Sequence, residues 1–151
     1  MELLGQGFFW NDLEEGRRFR TYGRTIHESD VIGFVSQTGM LESLFLDAEY
    51  RKRHSAMDGH AAPALLVVSL AEGLTLNSTA QGTGLAFLNM QMDVKAPVFV
   101  GDTIHVEIEV LESRRTSKSE RGLVKTRNSV VNQRGETVLE YLPQRLMAGR
   151  P

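Results

Sequence analysis

The sequence has no cysteine among its 151 residues. That excludes disulfides, thiolate nucleophiles and cysteine-held zinc or iron–sulfur centres. An excess of positive charge is lacking too. Seventeen Lys and Arg stand against 19 Asp and Glu, a formal net charge of −2. Such a chain has no basic field to hold nucleic acid or an anionic membrane. Long apolar runs are missing as well: the longest, Ala61 to Val68, is far too short to span a bilayer. The start, MELLGQGFFWNDLEEG, has no basic leader ahead of an apolar run. No secretory signal is expected, and the cytoplasm is the expected compartment. Neither an internal repeat nor a linker interrupts the chain, so one domain over residues 1–151 is expected.

What is present divides the chain in two. Hydrophobic residues make up 41% and charged residues 24%, the balance of a soluble globular domain with a real core. Helical signals fill the first half. Val31, Ile32, Phe34 and Val35 mark one helix face after the acidic His27-Glu-Ser-Asp30, with Gly39 as the stop. Asp47 to His54 reads as a short solvated helix, acids first and bases last. Pro63 opens PALLVVSLAEGLTLN to about Asn77, apolar on nearly every side and so expected to be buried. From Gly84 the period changes to two. GLAFLNMQMDV, TIHVEIEV, GLVKTRNSVV and ETVLEYL read as strands, and RRFRTYGRTI as a fifth. Gly101-Asp102 and Arg134-Gly135 mark turns, and Glu112 to Gly122 a charged hairpin loop. A buried helix and an antiparallel sheet of about five strands make an α+β domain, with the sheet wrapped around the helix.

Several strings in this order resemble the MaoC-like dehydratases, the family that includes the (R)-specific enoyl-CoA hydratases. They are Phe19 to Gly39 in outline, PALLVVSLAEGL, APVFVGDTIHVEIEV and NQRGETV. The resemblance implies a hotdog fold, a homodimer or assembly of dimers, and an acyl-CoA or other acyl thioester as ligand. It also implies water addition across an enoyl thioester with no metal and no organic cofactor. The family's catalytic Asp and His stand five positions apart in one loop string, and a backbone N–H in an H-G pair receives the thioester carbonyl. Here that string is Thr38-Gly-Met-Leu-Glu-Ser-Leu-Phe45. Met40 takes the aspartate position and Phe45 the histidine position, and neither side chain can carry a proton. The H-G pair becomes Pro63-Ala64, whose Ala64 N–H still offers an oxyanion site at a helix N-terminus.

Two carboxylates are candidate replacements. Glu72, the only ionisable side chain from Ala61 through Met92, would be a relocated base, or else a structural residue reaching solvent or an arginine. Glu42 lies inside the altered string; the plain alternative is an exposed loop glutamate. His60, ahead of the helix, is a candidate substrate contact. The loop HSAMDGH offers no tetrahedral set for a metal. His27 reads as a cap neighbour, His105 as an exposed strand residue, Ser69 as a buried serine bonded to its own backbone, and Asp102 as a turn cap. Gly73 suggests close packing against the sheet. Arg114, Arg115, Lys118 and Arg121 form either a solvated turn or a clamp for coenzyme A phosphates. Three functions share this ligand class. They are a hydratase or dehydratase with a rearranged or degraded site, a non-catalytic acyl-CoA-binding or partner subunit, and a thioesterase.

Overall fold

The computed structural model describes residues 1–151 in full. After a single 3-10 turn at Trp10–Asp12 come β1 (Arg18–Arg20), β2 (Arg24–Thr25), α1 (Glu28–Thr38), α2 (Ser43–Leu46), α3 (Ala48–His54) and α4 (Ala64–Thr79). The second half is β3 (Gly84–Val94), β4 (Thr103–Arg115), β5 (Gly122–Val131) and β6 (Thr137–Met147). All pairings are antiparallel. The six-stranded sheet runs β1-β4-β5-β6-β3, with β2 beside β4. No helix is long and apolar enough to cross a membrane.

Strand periodicity builds the core. Ile104, Val106, Ile108 and Val110 of β4 point inward and are buried, while Glu107 lies exposed on the opposite face. The first three meet Val67, Val68 and Ala71 of α4, and Val130, Val138, Leu139 and Tyr141 from β5 and β6, in one cluster, while Val110 joins Leu13, Val124 and Met147 in a second. The expected helix starts hold with small shifts. Pro63 is the N-cap of α4, outside its first turn, and the helix continues to Thr79. Asp47 caps α3 by accepting the Tyr50 N–H at 2.9 Å. Gly39 ends α1 at φ 77°, a left-handed angle that favours glycine.

Several expectations need correction. RRFRTYGRTI is broken into two short strands, because Thr21 turns inward and its hydroxyl accepts the Val106 N–H. The hairpin loop is shorter than Glu112 to Gly122. A bulge between Val110 and Glu112 lets β4 continue to Arg115, leaving only residues 116–121 as loop. α4 is not covered all round: Leu65, Ser69, Gly73 and Leu76 are exposed. Gly73 therefore packs against nothing, and an added Cβ would meet no atom within 4 Å. Ser69 does bond back to the Leu65 carbonyl at 2.6 Å, but from an exposed position. His105 is largely covered, with 13% of its side chain exposed, and contacts Glu107.

Candidate functional site

The loop from Gly39 to Phe45 is part of the packing. Met40 follows Gly39, and Phe45 lies in the single turn of α2. Both pack against Val31, Val35 and Leu66. Glu42 is the N-cap of α2, makes no side-chain capping bond, and is exposed. His60 Nε2 lies 3.1 Å from the Phe45 carbonyl. A carbonyl only accepts, so Nε2 carries the proton and donates. His60 thus joins the loop before α4 to the altered string.

At the start of α4 the first intrahelical bond is Val67 N–H to the Pro63 carbonyl, 3.1 Å. The N–H groups of Ala64, Leu65 and Leu66 come before it and have no partner within the helix. Beside Ala64 is a small cavity of ≈ 40 Å³, walled by residues such as Ala62, Val94, Pro97 and Leu139. No titratable side chain lines it.

Glu72 stands elsewhere. It is eight residues further along α4, about 12 Å along the axis. Its Oε1 accepts from the Tyr141 hydroxyl at 2.8 Å and from Arg145 Nη2. The pair is mostly covered, with 19% of the Glu72 and 11% of the Arg145 side chain exposed. Arg145 also lies over the Phe87 ring, 5.4 Å from its centroid. Burial pushes the Tyr141 phenol well above its ordinary range, and the Glu72 charge pushes it further. Glu72 and Arg145 line a cleft of ≈ 360 Å³ with Leu76, Leu85 and Phe87. Met40, Phe45, Ala64 and Glu72 therefore do not share one cavity.

Arg145 and Tyr141 escaped the sequence reading. The strand read from the sequence, ETVLEYL, ends at Leu142. In fact β6 runs through Pro143 to Met147, and the ladder to β5 lapses around the proline. A usable signal existed: an ionisable group alone in an apolar helix demands a partner. Tyr141 and Arg145 lie four apart on one strand face. The other candidates have structural partners. His27 is the N-cap of α1, and its N–H donates to Asp30 at 2.8 Å. Asp102 accepts from the Phe99 N–H at 2.9 Å and Gln133 at 2.7 Å. At the end of β4, Arg114 pairs with Glu112 and Arg115 with Glu120 of the hairpin loop. No group of three or more His, Asp or Glu side chains is placed to hold a metal ion.

The family model described as "FAS1-like, dehydratase domain region" matches residues 14–141. The chain is 28% identical over 104 residues to a 3-hydroxybutyryl-CoA dehydratase of Methylorubrum extorquens, covering 69% of this chain and 64% of that protein. It is 30% identical over 102 residues to an (R)-specific enoyl-CoA hydratase of Aeromonas caviae, covering 68% and 74%. The match thus spans under two thirds of the first of these relatives and about three quarters of the second. A solved MaoC-like dehydratase from Rhodospirillum rubrum superposes with a TM-score of 0.84 at 27% identity, covering 96% of this chain and 99% of that one. The chain belongs to the FAS1-like dehydratase family of MaoC-like hotdog domains. The α+β hotdog architecture expected from the resemblance is the one found.

Proposed function

We propose that the chain is an acyl-thioester-binding member of this family whose hydratase or dehydratase site is degraded, with the Ala64 N–H kept as the carbonyl contact. One observation carries the reading. The cavity at Ala64 has no titratable side chain, while Met40 and Phe45 are absorbed into an apolar cluster. Water is a weak nucleophile at neutral pH, and a positioned acid or base contributes about 10²–10⁴-fold. Without one, thioester binding outlasts efficient hydration. Pro63 holds the turn that presents Ala64, and His60 steadies the neighbouring loop through the Phe45 carbonyl.

We take residues 1–151 as a single domain acting in the cytoplasm, and as half of a homodimer joined along β3. That strand is a sheet edge exposing Leu85, Phe87, Leu88, Met90 and Val94, a combination that natural proteins cover. A second reading makes Glu72 the base for hydration or thioester hydrolysis. It is favoured by Glu72 Oε2, which accepts no hydrogen bond on the margin of an open cleft.

The test follows the ultraviolet absorbance of a short trans-2-enoyl-CoA. Wild type is expected to turn over weakly or not at all, yet to bind saturably. Met40→Asp with Phe45→His should raise the rate by about 10²-fold, since proton carriers return to the loop that packs against Leu66 in the first turn of α4. Brisk wild-type turnover unchanged by the double variant would refute the proposal. Turnover abolished by Glu72→Gln would transfer the assignment to the second reading.

A further inference from the structure

The cavity beside Ala64 has a closed floor and an open mouth. Val67, Val98, Val138 and Leu139 form the floor, each no more than 4% exposed. Val94 and Pro97 are exposed and border the mouth. Val94 belongs to the β3 edge assigned to the homodimer. Pairing with a second copy there can narrow the opening, but the floor is complete within one chain and no deeper space is gained.

The floor is also held in place. The Val98 carbonyl accepts the Ala62 N–H at 2.7 Å, and the Val138 carbonyl accepts both the Lys95 and the Ala96 N–H, at 2.9 and 3.1 Å. Val94 and Leu139 are opposite each other in the β3–β6 ladder. Walls built from paired backbone and packed valines yield little to extra volume, since overfilling such a space forces strain. The size is therefore a limit. About 10–15 Å³ holds one water-sized group, so ≈ 40 Å³ holds about three. Counted from a thioester carbonyl at the Ala64 N–H, these are the remaining carbons of a butyryl chain.

Polarity sets a second limit. The lining has no polar side chain, and the carbonyls of Val98 and Val138 are engaged by the neighbouring N–H groups. A hydroxyl carried into this space loses its water and gains no partner. We infer that the cavity restricts the protein to plain alkyl or enoyl thioesters of no more than about four carbons and disfavours their 3-hydroxy forms. This rests on the reading of the Ala64 N–H as the carbonyl contact of an acyl-thioester binder.

The experiment measures binding of acetyl-, butyryl-, hexanoyl-, octanoyl- and 3-hydroxybutyryl-CoA to the full chain by titration calorimetry. Binding should tighten about fourfold per carbon from acetyl- to butyryl-CoA. Hexanoyl- and octanoyl-CoA should bind about tenfold more weakly than butyryl-CoA, because their further carbons overfill the space. The 3-hydroxybutyryl thioester should be weaker than butyryl-CoA by a similar factor. Leu139→Ala lowers the floor and should move the optimum to hexanoyl-CoA. Ala96→Val, a milder change at the edge of the core, fills the space and should bring butyryl-CoA down to the level of acetyl-CoA. Hexanoyl-, octanoyl- or 3-hydroxybutyryl-CoA binding wild type as tightly as butyryl-CoA overturns the inference and leaves thioester binding intact. A preference for butyryl-CoA that survives Ala96→Val overturns it too. No binding of any thioester overturns both the inference and the reading beneath it.

Discussion

Cutting the Glu72–Arg145 pair on one side should cost more stability than removing both sides together. Glu72→Leu leaves a guanidinium with only 11% of its side chain exposed, and deprives the fully buried Tyr141 hydroxyl of its 2.8 Å acceptor. Breaking a fully buried pair costs about 3–5 kcal/mol. The Glu72 side chain is about one-fifth exposed, so partial solvation trims this to roughly 2–3 kcal/mol, with the orphaned phenol as part of it. Arg145→Met should cost a similar amount, because the carboxylate is then left with Tyr141 alone. The double variant Glu72→Leu with Arg145→Met removes both charges and fills the volume. It should lie within about 2 kcal/mol of wild type, the orphaned Tyr141 phenol making up the difference. The coupling between the two sites then comes to at least about 2 kcal/mol. In a domain of this size each single change corresponds to a Tm loss of about 4–12 °C. Urea unfolding at fixed protein concentration reads this directly through the single tryptophan, Trp10, whose indole donates to the Glu120 carbonyl at 2.8 Å. Single variants costing under about 0.5 kcal/mol would show that the pair is solvated in solution. A double variant as damaged as the two singles added together would show that its atoms do not act as a pair.

Placing two positive charges on the open sheet edge, Phe87→Lys with Met90→Lys, should turn a dimer into monomers in sedimentation at micromolar concentration. A wild type that is already monomeric there would remove the β3 assignment. The raised phenol of Tyr141 implies a loss of stability at alkaline pH. Its folded pKa lies above the unfolded value of about 10, so its contribution is complete below that value and falls away as pH rises beyond it. Tyr141→Phe should flatten this alkaline limb in unfolding curves between about pH 9 and 11; an unchanged slope would refute the assignment. At the acid end, burial raises the Asp30 carboxyl, but bonds from the His27 N–H and Arg24 outweigh it and hold the group below its usual value. Its contribution is present above the unfolded pKa and lost as pH falls through the folded one, so Asp30→Asn should reduce the acid sensitivity of unfolding.

Much of the architecture could be read from local pattern alone. The alternation Ile104, Val106, Ile108, Val110 announces a half-buried strand whatever surrounds it, because successive side chains leave opposite faces. The acids before Val31, the left-handed Gly39 and the proline before Ala64 mark helix limits, since the orphan groups of a helix end are satisfied locally. That Met40 and Phe45 cannot carry a proton was equally legible, as residue identity needs no coordinates. Tertiary structure alone decided where Glu72 points and what holds it. Its partners lie 69 and 73 residues away, on a strand that continues through a proline which local rules would have ended it at. The open face of α4 was likewise hidden, for an apolar helix looks the same in sequence whether this chain's own sheet covers it or leaves Leu65 and Leu76 exposed. Periodicity reports which way a side chain leaves its own element. Which group it meets there depends on contacts between distant parts of the chain, and only the folded sheet brings those together.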